Sequence, residues 1–105
     1  MAEDPPGPIE QITAEFLPED WLLQEDICKR VGISYEVFAL CLQWEIIRPD
    51  QERPQEPLRF PQHEVHRLCR GLRLHRDLGI NWPGVVLALD LLERIENIER
   101  QLEQN

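Results

Sequence analysis

The stretch WLLQEDICKRVGISYEVFALCLQWEIIRP, Trp21 to Pro49, decides the fold. Gln24 to Val31 predicts a short helix, with Glu25 and Asp26 in its first turn and Lys29 and Arg30 near its end, the arrangement that complements the helix dipole. Gly32 is placed to close that helix in the left-handed conformation, and Ser34 to cap the next one. Val37, Phe38, Cys41 and Leu42 make the core-facing stripe of this second helix, so Val31-Gly32-Ile33-Ser34 reads as the tight turn of a helix-turn-helix. The second helix, Ser34 to Glu45, carries no Lys or Arg and two carboxylates, Glu36 and Glu45. A helix that enters the major groove needs cationic and amide side chains to reach phosphates and base edges. This one would meet DNA with the wrong sign, which points to a DNA-binding architecture used to bind protein.

Working outward, Trp21, Leu22 and Leu23 read as a brief strand. Residues 1–20 form an acidic, proline-rich segment expected to be flexible, in which Pro5, Pro6, Gly7 and Pro8 support neither helix nor ladder. Ile9, Ile12, Phe16 and Leu17 fit helical spacing loosely before Pro18 stops the run. Downstream, Ile46 and Ile47 read as a short strand paired with Leu58 to Phe60 across a polar loop holding Pro49, Pro54 and Pro57, a hairpin wing. Gln62 to Asp77 predicts a third helix with Val65, Leu68, Cys69 and Leu72 inside, closed near Gly79. Asn81 is positioned to cap a fourth helix, with Pro83 tolerated in its first turn. Along it Ala88, Leu91, Ile95, Ile98 and Leu102 alternate gaps of three and four, an a/d seam. An isolated helix of this length is marginal in water, so the seam is expected to pack on another chain as a homodimer contact. The expected fold is mostly α: a winged helix-turn-helix over residues 21–80, with a small β-hairpin wing, and a long C-terminal dimerisation and partner-contact helix over residues 81–105.

At 105 residues the chain suits one modest core. Eleven Lys plus Arg stand against 20 Asp plus Glu, a formal net charge of −9, which disfavours nucleic acid and anionic membrane and favours a cationic protein partner. The imbalance is uneven: no basic residue precedes Asp26, whereas Arg67, Arg70, Arg73 and Arg76 recur at every third position of the third helix. Three widely separated cysteines, Cys28, Cys41 and Cys69, sit in apolar helical contexts and read as free thiols in a reducing cytoplasm. No apolar run approaches the roughly 18 residues of a membrane span, so a soluble cytoplasmic protein is expected.

His63, His66 and Cys69 stand three apart on one helix and invite a metal hypothesis. No second cluster completes the three or four converging ligands a metal needs, so no metal or other cofactor is expected. There is no Gly-rich phosphate cradle and no Ser or Cys nucleophile with a base nearby in sequence, and an enzyme is not expected.

The order helix, Gly turn, helix, hairpin wing, helix ending in Leu-Gly and long C-terminal helix resembles the MerR-like winged-helix group. Asp26 to Ser34 (DICKRVGIS), Ile46 to Pro49 (IIRP) and Arg73 to Gly79 (RLHRDLG) carry the resemblance. Within that group, Leu78 to Leu92 (LGINWPGVVLALDLL), with Trp82-Pro83-Gly84 entering an aliphatic helix, resembles the chaperone-modulator (CbpM-like) family. The likeness spans Trp21 to about Gln104, and the chain departs from simple family members in its acidic N-terminus and proline-rich wing. The resemblance implies a small homodimer that binds the J-domain of a CbpA/DnaJ-type co-chaperone and inhibits its action on the Hsp70 chaperone. Metal-sensing members of the wider group carry cysteines where this chain has Gly79, Ile80, Asn81 and Trp82, so sensing of that kind is not implied.

Since a J-domain presents a basic helix, a competitor should offer carboxylates around an apolar anchor. Two surfaces qualify. One is the second helix, with Glu36, Gln43 and Glu45 beside Trp44; the other is the fourth helix, with Asp90, Glu93 and Glu96 near Trp82. The expected mechanism is inhibition by occlusion. Each residue also has a plainer role: the acids as solvated helix faces, Trp82 as a wedge in the core, Trp44 packed under the wing. The rival reading is a MerR-type DNA-binding transcriptional regulator whose third-helix arginines line phosphates. Against it stand the acidic second helix and a wing loop in which Asp50, Glu52 and Glu56 offset Arg48 and Arg53.

Overall fold

The computed structural model describes residues 21–51 and 57–104. The expected flexible segment 1–20 and the tip of the wing loop lie outside the described residues. In chain order the elements are β1 (Trp21–Leu23), α1 (Gln24–Val31), α2 (Tyr35–Gln43), β2 (Arg59–Pro61), α3 (Gln62–Leu78) and α4 (Trp82–Gln104). The four helices and the small antiparallel sheet make a mostly α winged helix-turn-helix, as the sequence predicts.

The helix boundaries follow local chemistry. Gly32 and Gly79 adopt left-handed φ of 83° and 66° and close α1 and α3. The Ser34 hydroxyl accepts from the Val37 amide at 3.1 Å and starts α2. The Asn81 carboxamide accepts from the Gly84 amide at 2.9 Å and starts α4, satisfying a donor that the first turn of a helix leaves unpaired. Gly84 explains the Trp-Pro-Gly sequence, because a Cβ there would lie 2.7 Å from Ile80 Cγ2.

The sheet differs from the expectation in its pairing. β2 pairs antiparallel with β1, with Leu22 opposite Phe60, whereas Ile46 and Ile47 are not a strand. They follow the end of α2 in a turn and bend, fully buried. Both side chains lie in the core, Ile46 against Gly71 of α3, so burial rather than ladder pairing accounts for two consecutive β-branched residues. The wing loop closes at its base through the Asp50 amide, which donates to the Arg59 carbonyl at 2.8 Å.

Around these plugs lies one core, built from Leu22, Ile27, Phe38, Phe60, Leu68 and Val85 among others. Phe38 and Phe60 meet edge to face with centroids 5.3 Å apart and tie α2 to the sheet. Helices α3 and α4 approach closely at Gly71, where a Cβ would lie 2.9 Å from Ile46 Cγ2 and 3.1 Å from Val85 Cγ1. Only Val85 and Leu89 of α4 are fully buried. Beyond them the helix leaves the core, and Leu91, Ile95, Ile98 and Leu102 are exposed. Among the described residues no helix is long and apolar enough to cross a membrane.

Candidate functional interface

α2 takes the position of the second helix in the helix-turn-helix. Its core stripe turns inward as expected, with Phe38 and Cys41 buried. The opposite face carries Tyr35, Glu36, Ala39, Leu40, Gln43 and Trp44, all exposed and none cationic. Trp44 retains 38% of its surface, and Leu40 retains 39%. Trp44 is the C-cap residue of α2, just before the buried pair Ile46 and Ile47. Glu36 and Glu45 flank this apolar strip. Leu40 and Tyr35 were not singled out by sequence reasoning, although both are apolar residues off the core stripe, which is the signal that marks them.

Glu45 has a left-handed backbone, φ 60°, which costs a non-glycine residue roughly 1 kcal/mol. Its carbonyl accepts from Arg67 Nη2 at 3.1 Å, so the strained turn is held from α3. Arg67 is an ionic node. Its side chain, 4% exposed, donates also to Glu93 at 2.8 Å and Asp90 at 3.3 Å. One turn on, Arg70 pairs with Glu96 at 2.9 Å. The arginine stripe of α3 and the carboxylates of α4 thus meet each other across the helix pair. Asp90, Glu93 and Glu96 come together as one ladder, but each is already engaged by a guanidinium.

A second buried node braces the wing. Glu64, 3% exposed, accepts from the Arg48 amide at 2.8 Å, its Nε at 3.0 Å and its Nη2 at 2.7 Å. The fork and the backbone donor satisfy both carboxylate oxygens in the manner of a charge-assisted bidentate pair. The hydrogen bonds to Glu64 hold the Arg48 guanidinium above its ordinary range. Neither node was legible in the sequence, since the partners lie 16 or more positions apart.

Trp82 stands apart from the α2 face. Half-buried at the start of α4, it stacks on His75 with centroids 3.9 Å apart, and the His75 Nδ1 proton is donated to the Ile80 carbonyl at 2.7 Å. It therefore packs as a wedge that fixes the α3–α4 corner. The seam residues Ala88, Leu91, Ile95, Ile98 and Leu102 lie along α4, with Ala88 partly covered and the others exposed, and Leu87 adds a further exposed apolar side chain.

His63 and His66 are exposed on α3, and Cys69 is half-buried. His63 lies 3.5 Å from Glu64, whose carboxylate is already filled by Arg48. Burial raises the Cys28 and Cys69 thiols and pushes Cys41 up to about 11. A protonated thiol in an apolar site is a packing group rather than a nucleophile. What the surface offers is adhesion: an apolar strip with acidic flanks on a rigid helix.

Comparison with known proteins agrees with this architecture. A family model described as MerR HTH family regulatory protein matches residues 22–104. A chaperone modulatory protein CbpM of Coxiella burnetii (strain Dugway 5J108-111) is 30% identical over 78 residues, 74% of this chain and 73% of the relative. A CbpM of Pseudomonas entomophila (strain L48) is 28% identical over 75 residues, 71% and 73% of the two chains. A CbpM of Citrobacter koseri is 28% identical over 76 residues, 72% and 74%.

Proposed function

This chain belongs to the CbpM-like family of chaperone modulators within the MerR helix-turn-helix group, and on that premise we propose that it modulates a chaperone by occluding the J-domain of a CbpA/DnaJ-type co-chaperone. The observation that carries the reading is the outer face of α2, where Leu40 and Trp44 stand exposed between Glu36 and Glu45 with no cation among them. A J-domain presents a basic helix to its Hsp70. Carboxylates at the rim speed and select such an encounter, while a desolvated aromatic supplies most of the affinity. Trp44 is the anchor and Leu40 its apolar neighbour.

Of the two acidic surfaces, α2 is favoured over α4. Asp90, Glu93 and Glu96 are each paired with Arg67 or Arg70, so part of their charge is already compensated, whereas Glu36 on α2 has no ion pair among the described residues. The α4 seam, with Leu91, Ile95, Ile98 and Leu102 exposed, suits self-association: an apolar stripe at heptad spacing is self-complementary across a two-fold axis. In this reading the active form is a cytoplasmic homodimer, needs no cofactor and performs no chemistry.

Chemical-shift mapping with the host's CbpA-type J-domain tests the assignment. Shifts should centre on Tyr35 to Glu45, Trp44→Ala should weaken binding at least tenfold, and Asp90→Asn with Glu96→Gln should change it less than twofold. Shifts centred on Asp90 to Glu96 would move the interface to α4. No J-domain capture, together with DNA retention that falls steeply with salt, would favour the regulator reading instead.

A further inference from the structure

A groove of about 610 Å³ lies between the turn of the helix-turn-helix and the end of α3. Ile33 of the turn, Leu72 of α3 and Trp82 at the start of α4 give it an apolar lining, and each is only partly buried. Val37 of α2 lines it as well. That residue joins the groove to the exposed strip of α2, because Val37, Leu40 and Trp44 stand at i, i+3 and i+7 and form one stripe along a single edge of the helix. The apolar surface that begins at Trp44 therefore continues past Leu40 into the groove. Charge changes sign along the same path. Glu36 and Glu45 flank the α2 strip, whereas Arg73 and Arg76 line the groove. Arg76 is paired with Asp77 at 2.9 Å. Arg73 is exposed and has no ion pair among the described residues, although Arg67 and Arg70 before it on α3 are each answered by carboxylates of α4.

We propose that the groove is the far half of the co-chaperone interface, filled by an apolar side chain of the same J-domain whose cations meet the α2 acids, with a carboxylate of that J-domain seated on Arg73. The inference rests on the reading that α2 is the docking face, and it gives that reading a direction. A partner that met α2 alone could lie along the helix in either sense. One that must also bring a carboxylate to Arg73 has a single sense, with its cations over α2 and its acid over the end of α3. A uniformly basic segment fits only half of this surface, since at the groove it would face Arg73 and Arg76, and like charges juxtaposed across an interface are strongly disfavoured. The surface thus discriminates by repulsion as well as attraction, and selects a dipolar partner over one that is merely cationic.

Titration of the full-length chain with the host's CbpA-type J-domain, followed through methyl and indole signals, tests it. The methyls of Ile33, Val37 and Leu72 and the indole of Trp82 should shift together with Leu40 and Trp44, at the same J-domain concentrations. Arg73→Glu should weaken capture about tenfold or more and Arg73→Lys by less than about threefold. Reversal of one J-domain acid to lysine should restore binding to the Arg73→Glu chain. Shifts at Leu40 and Trp44 with the groove signals unmoved, or capture indifferent to Arg73→Glu, overturn the groove assignment and leave the α2 reading standing. A loss on Arg73→Glu that no single acid reversal restores overturns the orientation. Groove signals that move while Leu40 and Trp44 do not, or the absence of any J-domain capture, overturn the α2 reading and this inference with it.

Discussion

Replacing Arg67 by methionine probes the α3–α4 junction through an asymmetry of solvation. The guanidinium is 4% exposed, whereas its acceptors Asp90 and Glu93 keep 54% and 39% of their side-chain surface. Arg67→Met removes the buried cation and its desolvation together, and both carboxylates rehydrate, so the net loss should be about 0–1 kcal/mol, most of it the freed Glu45 carbonyl. Asp90→Ala with Glu93→Ala does the reverse. It leaves a buried cation with one backbone acceptor and an Nε already without a partner. Stranding one member of a buried pair costs about 3–5 kcal/mol, reduced to about 2–3 here because the opened side of α4 admits water. Two surface substitutions should thus destabilise more than the substitution of the buried residue. Urea unfolding at one fixed protomer concentration reads the difference, and with a slope near 1 kcal/mol/M the midpoints should differ by about 1–3 M. The triple variant should recover most of the loss. If Arg67→Met unfolds at lower urea than the double alanine variant, or the triple variant recovers nothing, the solvation argument is wrong.

Gly71→Ala should lower stability by about 1–2 kcal/mol despite alanine's helix propensity, because the new methyl meets Ile46, Val85 and Leu89 within 3.2 Å; an unchanged melting temperature would show that the helices separate freely. Burial raises the Cys41 thiol to about 11, so the folded state favours the protonated form. That contribution is complete below the unfolded thiol value, near 8.5–9, and is lost as pH rises from there through about 11. Cys41→Ala should therefore flatten the alkaline fall in stability between pH 9 and 11, and parallel curves for parent and variant would contradict the assignment. Truncation after Glu93 should halve the mass by light scattering while J-domain capture is retained; a dimer that survives would place self-association elsewhere than the seam.

What was legible in the sequence were features decided within a few residues. Gly32, Ser34, Gly79 and Asn81 each satisfy a helix end from within the same turn, and the helices begin and end beside them. The inward stripe of α2 and the outward seam of α4 follow from period alone. Strand pairing was less accessible. Trp21 to Leu23 was visible as a strand, but local pattern carries no address for its partner, and Ile46-Ile47 has the composition of a strand although the core takes it up as a plug. Charge was readable in sign and not in use: that Arg67 and Arg70 face Glu93 and Glu96 depends on how two helices cross.

The ladder between α3 and α4 also bears on how this scaffold would have to change to hold a polyanion. Grafting lysines and arginines onto α2 alone would leave Arg67 and Arg70 clasped by neighbouring carboxylates, and Arg67 could not turn toward a phosphate without abandoning the contact that holds the Glu45 turn. Freeing those two guanidinium groups for a phosphate would therefore demand replacement of the α4 carboxylates as well as changes on α2.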